Sequence, residues 1–118
     1  MSVKGVFASA NDRRDYAAGE VIFSEGEPSH HMFGIVSGAV ELRQRGRAVV
    51  TLGGDATFGE LGIIDGTTRS LSAVAVEPTT VAVIDERTFL YMVQETPMFA
   101  IQVMKSLAAR IRQIDEER

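Results

Sequence analysis

A glutamate and an arginine stand nine residues apart in FGELGIIDGTTRS, residues 58–70, on a frame that includes Gly59, Gly62 and Gly66. Arg69 offers a planar, permanently charged fork for two phosphate oxygens, and Ser70 adds a hydroxyl or its own N–H to the same group. If a short helix begins at Gly59, its first N–H groups lack intrahelical partners and converge on one spot, which suits an anion. The glycines let the backbone approach a ligand closely. Glu60 would repel that anion, so its use is as an acceptor for a hydroxyl, as the acidic residue of dinucleotide folds accepts from ribose. The pair therefore points to a nucleotide, with Arg69 on phosphate and Glu60 on a sugar hydroxyl. Spacing alone fits equally well a surface ion pair between Glu60 and Arg69, worth ~0–1 kcal/mol.

Other reactive side chains form no comparable set. His30 and His31 are neighbours in a polar turn, but adjacent strand residues face opposite ways and no third metal ligand accompanies them. Asp65 and Gly66 read as a turn, and no Ser, His and Asp set suggests a hydrolase. No catalytic or metal site is expected. Arg43, Arg45 and Arg47 flank a hairpin tip, where a charged, solvated face is the usual explanation.

The elements that must hold this segment are short. Glycines at 19, 26, 38, 46, 53, 54, 59, 62 and 66 leave intervals that fit strands of about six residues and no ordinary helix. EVIFSEG (20–26), HMFGIVSG (31–38), AVELRQ (39–44), AVVTLG (48–53), LSAVAV (71–76) and TVAVI (80–84) are the strands, with Gly46 at a hairpin tip. Six or more short strands joined by tight turns predict a jelly roll or another closed sandwich. After Asp85, a plausible N-cap, Phe89, Leu90 and Val93 mark a helix over about 86–94. A second, over about 97–115, opens with Thr96 as N-cap and Pro97 in its first turn. Along it Ala100, Met104, Leu107, Ile111 and Ile114 recur at steps of four and three, a stripe that fits either packing on the β body or a dimer seam.

At 118 residues, 45% hydrophobic and 24% charged, the chain is expected to be a single domain spanning 1–118. A net charge of −4 argues against direct nucleic-acid binding, which normally needs a basic stripe. The absence of cysteine excludes disulfides and thiolate metal sites. No segment has the apolar core of a signal peptide or the ~20 apolar residues of a membrane span. A cytoplasmic location is expected.

AGEVIFSEGEPSHHMFGIVSGAVELRQ, followed by LGGDATFGELGIIDGTTRSLSAVAVEPTTVAVIDERTF, closely resembles the cyclic nucleotide-binding domain family. The match covers residues 18 to about 112 and includes the IFxEG turn, the I-x-SG-x-V hairpin and the FGE-L…RS cassette. The resemblance implies a mainly β protein: an eight-stranded jelly-roll β-barrel, about 18–84, with a short N-terminal helical segment and two C-terminal helices. The ligand would be cAMP or cGMP, with cAMP preferred, bound without chemistry to report by moving the C-terminal helix. Gly59, Glu60 and Leu61 would hold the ribose, and Arg69 and Ser70 the cyclic phosphate. Two residues depart from the family pattern, Thr68 where many members have Pro and Leu71 where a small Ala is usual. FASANDRRDY is a weak candidate for the N-terminal helix. A homodimer through the last helix and a protein effector are the expected partners. Relatives resembling bacterial transcription regulators continue into a helix-turn-helix, so a lone sensor and the sensor half of a longer regulator both fit. A barrel that has lost nucleotide binding and serves as an interaction or oligomerisation module is the alternative function.

Overall fold

The computed structural model describes residues 12–116, with side chains to residue 112. Eight strands, β1 (Arg13–Tyr16), β2 (Val21–Phe23), β3 (His31–Ser37), β4 (Val40–Gln44), β5 (Arg47–Leu52), β6 (Thr57–Phe58), β7 (Ser72–Ala75) and β8 (Thr79–Asp85), are accompanied by three helices. These are α1 (Leu61–Asp65), α2 (Glu86–Glu95) and α3 (Pro97–Glu116). The strands form two antiparallel four-stranded sheets, ordered β1-β8-β3-β6 and β2-β7-β4-β5.

Strands β3 and β8 read as nearly continuous apolar runs because both of their faces are covered. Side chains alternate across a strand, so Phe33, Ile35, Val81 and Val83 enter one core while Met32, Ala82 and Ile84 enter another. The first core lies between the sheets and includes Phe23, Val40, Leu42, Phe58 and Ala73. The second lies under the helices, where Phe99 and Val103 of α3 close over the outer face of β3 and β8. Phe89 of α2 meets Phe99 edge to face at 5.8 Å.

Local chemistry fixes the connections. The β4–β5 hairpin turns through Arg45 and Gly46, both at positive φ (52° and 80°), as a two-residue turn of the primed kind requires. Asp85 caps α2 by accepting the Thr88 N–H at 2.7 Å. Thr96 closes α2 with its N–H on the Met92 carbonyl, and its own carbonyl accepts from Phe99 N–H, so one residue joins the two helices.

Two elements differ from the sequence expectation. Residues 13–16 of the proposed N-terminal helix form a strand, pairing Arg13↔Ala82 through Tyr16↔Thr79 along an edge of β8 that would otherwise lack a partner; residues 1–11 lie outside the described residues. Thr57–Phe58 is a two-residue strand on β3, too short to show a period.

Candidate functional site

The segment 58–70 runs from β6 through α1 to the start of β7 and folds back against the β2–β3 loop. Helix α1 begins at Leu61 rather than Gly59, with Glu60 in helical geometry before it. Gly66, at φ 74°, ends it by donating its N–H to the Gly62 carbonyl. The Asp65 carboxylate then accepts from both the N–H and the hydroxyl of Thr67, hydrogen bonds that lower its pKa. Asp65 therefore ends α1 and braces the turn that follows it.

Arg69 is anchored at both backbone and side chain. Its N–H donates to the Glu27 carbonyl and its carbonyl accepts from Gly26 N–H, tying the segment to the β2–β3 loop. The residue is 8% exposed, and its guanidinium donates through Nη1 to the Gly59 carbonyl and through Nη2 to the His31 carbonyl, each at 2.8 Å. It lies 4.0 Å from the Phe23 ring centre and 5.5 Å from that of Phe33, within cation–π range. Burial lowers its pKa from the ordinary arginine value, while Glu27 and Glu60 act in the opposite direction. Gly59 is required for this packing: its φ is +78°, and a Cβ there would lie 2.7 Å from Arg69 Nη1.

Glu60 does not pair with Arg69. Fully buried, its Oε1 accepts instead from Arg110 Nη1 of α3 at 2.9 Å, across 50 residues of sequence. Arg110 Nη2 donates to the Thr57 carbonyl at 3.1 Å, and Ser106 Oγ reaches the same carbonyl at 3.3 Å. Sequence reasoning missed Arg110, the most informative side chain of α3. The only signal it leaves in the sequence is a basic residue three positions after the apolar Leu107.

Phe23, Gly59, Leu61, Arg69, Ser70 and Arg110 are among the residues lining a cavity of about 30 Å³, which also takes in Thr68 and Leu71. This is room for about two water molecules. Four of the five residues expected at the site therefore share one cavity, and Glu60 reaches it through Arg110. Leu71 packs on the inter-sheet core as well as lining the cavity. Among the described residues, the buried side-chain atoms without a hydrogen-bond partner are Ser29 Oγ, Thr57 Oγ1, Glu60 Oε2, Arg69 Nε and Arg110 Nε. All five belong to residues that line the cavity or to the group linking Arg110 to β6, so unspent hydrogen-bonding capacity is concentrated here.

A second cavity, of about 300 Å³, shares Ser29, Gly62 and Thr68 with the first and is bounded by His30 and Glu86. His31 lies on β3 opposite Asp85. No group of three or more His, Cys, Asp or Glu suited to a metal occurs among the described residues. The Arg43 guanidinium donates to Glu41, and the Arg45 backbone N–H donates to the Glu25 carboxylate, which ties the hairpin tip to the loop after β2. No helix among the described residues is long and apolar enough to cross a membrane.

Two antiparallel sheets with helices on one outer face, and a cavity edged by arginines under the last helix, define a small β ligand-binding domain. The cyclic nucleotide-binding domain profile matches residues 13–96, and the chain belongs to that family. The cyclic AMP receptor protein of Thermus thermophilus is 33% identical over 110 residues, covering 89% of this chain and 51% of that protein. A CRP-like cAMP-activated global transcriptional regulator of Mycobacterium tuberculosis is 30% identical over 103 residues, 83% of this chain and 46% of its own length. The crystal structure of the Thermus thermophilus catabolite activator protein superposes with a TM-score of 0.76 at 33% identity, over 90% of this chain and 52% of that one. The chain spans about half the length of these relatives. The family is a regulatory, ligand-binding one.

Proposed function

We propose that this chain is a sensor module that binds cAMP or cGMP and reports occupancy through α3, with no chemistry on the ligand. The carrying observation is the Glu60–Arg110 pair, which joins the predicted ribose acceptor to the C-terminal helix. A ribose hydroxyl arriving at Glu60 competes with the guanidinium that holds α3, so binding and helix position become linked. Gly59, Glu60 and Leu61 serve the sugar, and Arg69 and Ser70 the cyclic phosphate, with Arg69 Nε still available as a donor. The strand order 1-8-3-6 beside 2-7-4-5 supports a jelly roll, and the two shared cores support one domain. A cytoplasmic location and a protein effector belong to the same reading.

The reading extends to a homodimer through α3. Ile101, Met104 and Ile111 are exposed and lie at steps of three and seven, with exposed Ala108 between the last two. The free stripe is thus 101, 104, 108 and 111. In the stripe expected from sequence, Leu107 faces the second core instead, and Ile114 lies beyond the described side chains.

A specific observation favours the alternative, a nucleotide-independent interaction module. The cavity holds about 30 Å³, and both terminal nitrogens of Arg69 are bonded to main-chain carbonyls. Calorimetric titration with cAMP, cGMP and 2′-deoxy-cAMP decides between them. Saturable binding of a ribose ligand, weakened about tenfold to a hundredfold by loss of the 2′-hydroxyl, is expected from one lost hydrogen bond to a carboxylate. No heat with any of the three would support the interaction module.

A further inference from the structure

Ser29, in the loop between β2 and β3, lines the small cavity beside Arg69, Ser70 and Gly62. Its Oγ is buried and has no hydrogen-bond partner. A serine hydroxyl is at once a donor and an acceptor, and burying it unpaired destabilises a fold. Gly62, against which it packs, is a second concession. This glycine is buried inside α1 and its φ lies outside the left-handed region, so its backbone suits any residue. Alanine would favour the helix. A Cβ on Gly62, however, would overlap the Oγ and Cβ of Ser29 and lie 2.9 Å from its carbonyl oxygen. The sequence thus gives up helix propensity at 62 and hydrogen bonding at 29, and both concessions place one hydroxyl at the cavity wall.

The same wall holds Arg69 Nε, another buried donor without a partner. Two unspent donors and a guanidinium charge, set beside the Ser70 residue, match an anionic oxygen better than a neutral or cationic group. We propose that Ser29 is a ligand-contacting, affinity-setting residue whose hydroxyl donates to a phosphate oxygen of the bound nucleotide beside Arg69 Nε. The inference rests on the cavity being the cyclic nucleotide site. It adds a contact from a loop outside the 58–70 segment, and it makes Ser29 and Gly62 a matched pair.

The test compares wild type, Ser29→Ala and the volume-conserving double variant Ser29→Gly/Gly62→Ala. Each is titrated with cAMP, cGMP and the two phosphorothioate diastereomers of cAMP, and thermally unfolded without nucleotide. Ser29→Ala is expected to be at least as stable as wild type yet to bind cAMP about tenfold to a hundredfold more weakly, the range for a hydrogen bond to a charged group. The double variant, whose Cβ at 62 still lies 2.9 Å from the residue 29 carbonyl, should stay folded and bind as weakly as Ser29→Ala. The loss on Ser29→Ala should shrink for the one diastereomer whose sulfur replaces the contacted oxygen. Unchanged cAMP affinity in both variants while wild type binds would overturn the role of Ser29 and leave the sensor reading intact. Equal losses for cAMP and both diastereomers would overturn the phosphate contact. Wild type that binds none of the ligands would overturn the sensor reading, and this inference with it.

Discussion

The two halves of α3 are attached by different chemistry. Its first turns are held by Phe99 and Val103, whose side chains are buried in an apolar cluster with Met32, Ala82 and Ile84. About three turns after Phe99, at Arg110, attachment passes to a buried ion pair with Glu60 and a carbonyl contact at Thr57. Apolar burial is non-directional, and no polar ligand competes for it. A buried ion pair is costly to desolvate, and its attraction depends on partners that another hydrogen-bonding group can replace. On the proposed reading, the base of the helix stays fixed while the Arg110 attachment is the exchangeable one.

The largest expected effect comes from breaking the fixed half. Phe99→Ala should lower unfolding free energy by about 3–5 kcal/mol, as truncation of a buried aromatic does, and saturating cAMP should not restore the lost apolar contacts. Chemical denaturation with and without cAMP measures both. Breaking the exchangeable half should behave differently. Arg110→Ala strands the Glu60 carboxylate and should cost about 3 kcal/mol without ligand. If a ribose hydroxyl replaces Arg110 on Glu60, cAMP should return a larger share of that loss than it returns to Phe99→Ala. Equal recovery in the two variants would remove the distinction.

Arg69 sharpens the comparison from the pocket side. Arg69→Lys keeps a charge but loses the fork that spans the Gly59 and His31 carbonyls. Affinity for cAMP should fall by about 2–3 kcal/mol, roughly thirtyfold or more, in a calorimetric titration. On the outer face of α3, Met104→Glu with Ile111→Glu should convert a dimer to a monomer in sedimentation, leaving cAMP binding measurable. These side chains are exposed and support neither attachment. Wild type that sediments as a monomer with and without cAMP would confine the stripe to surface.

Acid should act most weakly, at the start of α2. The Thr88 hydrogen bonds hold the Asp85 pKa below the ordinary aspartate value of 3.8. A carboxylate with a depressed folded pKa contributes stability that is present above its unfolded value and is lost as pH falls through the folded one. Asp85→Ala should therefore lower Tm at neutral pH and flatten its decline below about pH 4, where this contribution disappears from wild type.

What could be read from the sequence was local. Glycine intervals, the Arg45–Gly46 turn and the Asp85 cap are set by neighbouring residues, and the corresponding elements fall within a residue or two of expectation, apart from the shorter β2. Strand β1 escaped because RRDY is polar and mostly exposed, stabilised by the edge of β8 it covers rather than by burial of its own side chains. The cassette residues were legible as a segment, but their partners were not. Nothing near Glu60 in the chain names Arg110, and nothing near Gly62 names Ser29, because those contacts are made by the fold. The α3 stripe could be seen as a period, but its rotation could not. Whether Leu107 or Ala108 faces inward depends on where Phe99 and Val103 settle on the sheet.

In the proposed sensor, a cyclic nucleotide enters the cavity between Arg69 and Arg110. Arginine side-chain Nε–H resonances, followed by NMR through a cAMP titration of the wild type, test it most directly. Saturable shifts of the Arg69 and Arg110 signals are expected, larger than any at Arg13 and Arg14, which lie on β1 at the opposite edge of the sheet from β6 and do not line the cavity. Binding that leaves Arg69 and Arg110 unmoved, or no saturable change at any arginine, would contradict it.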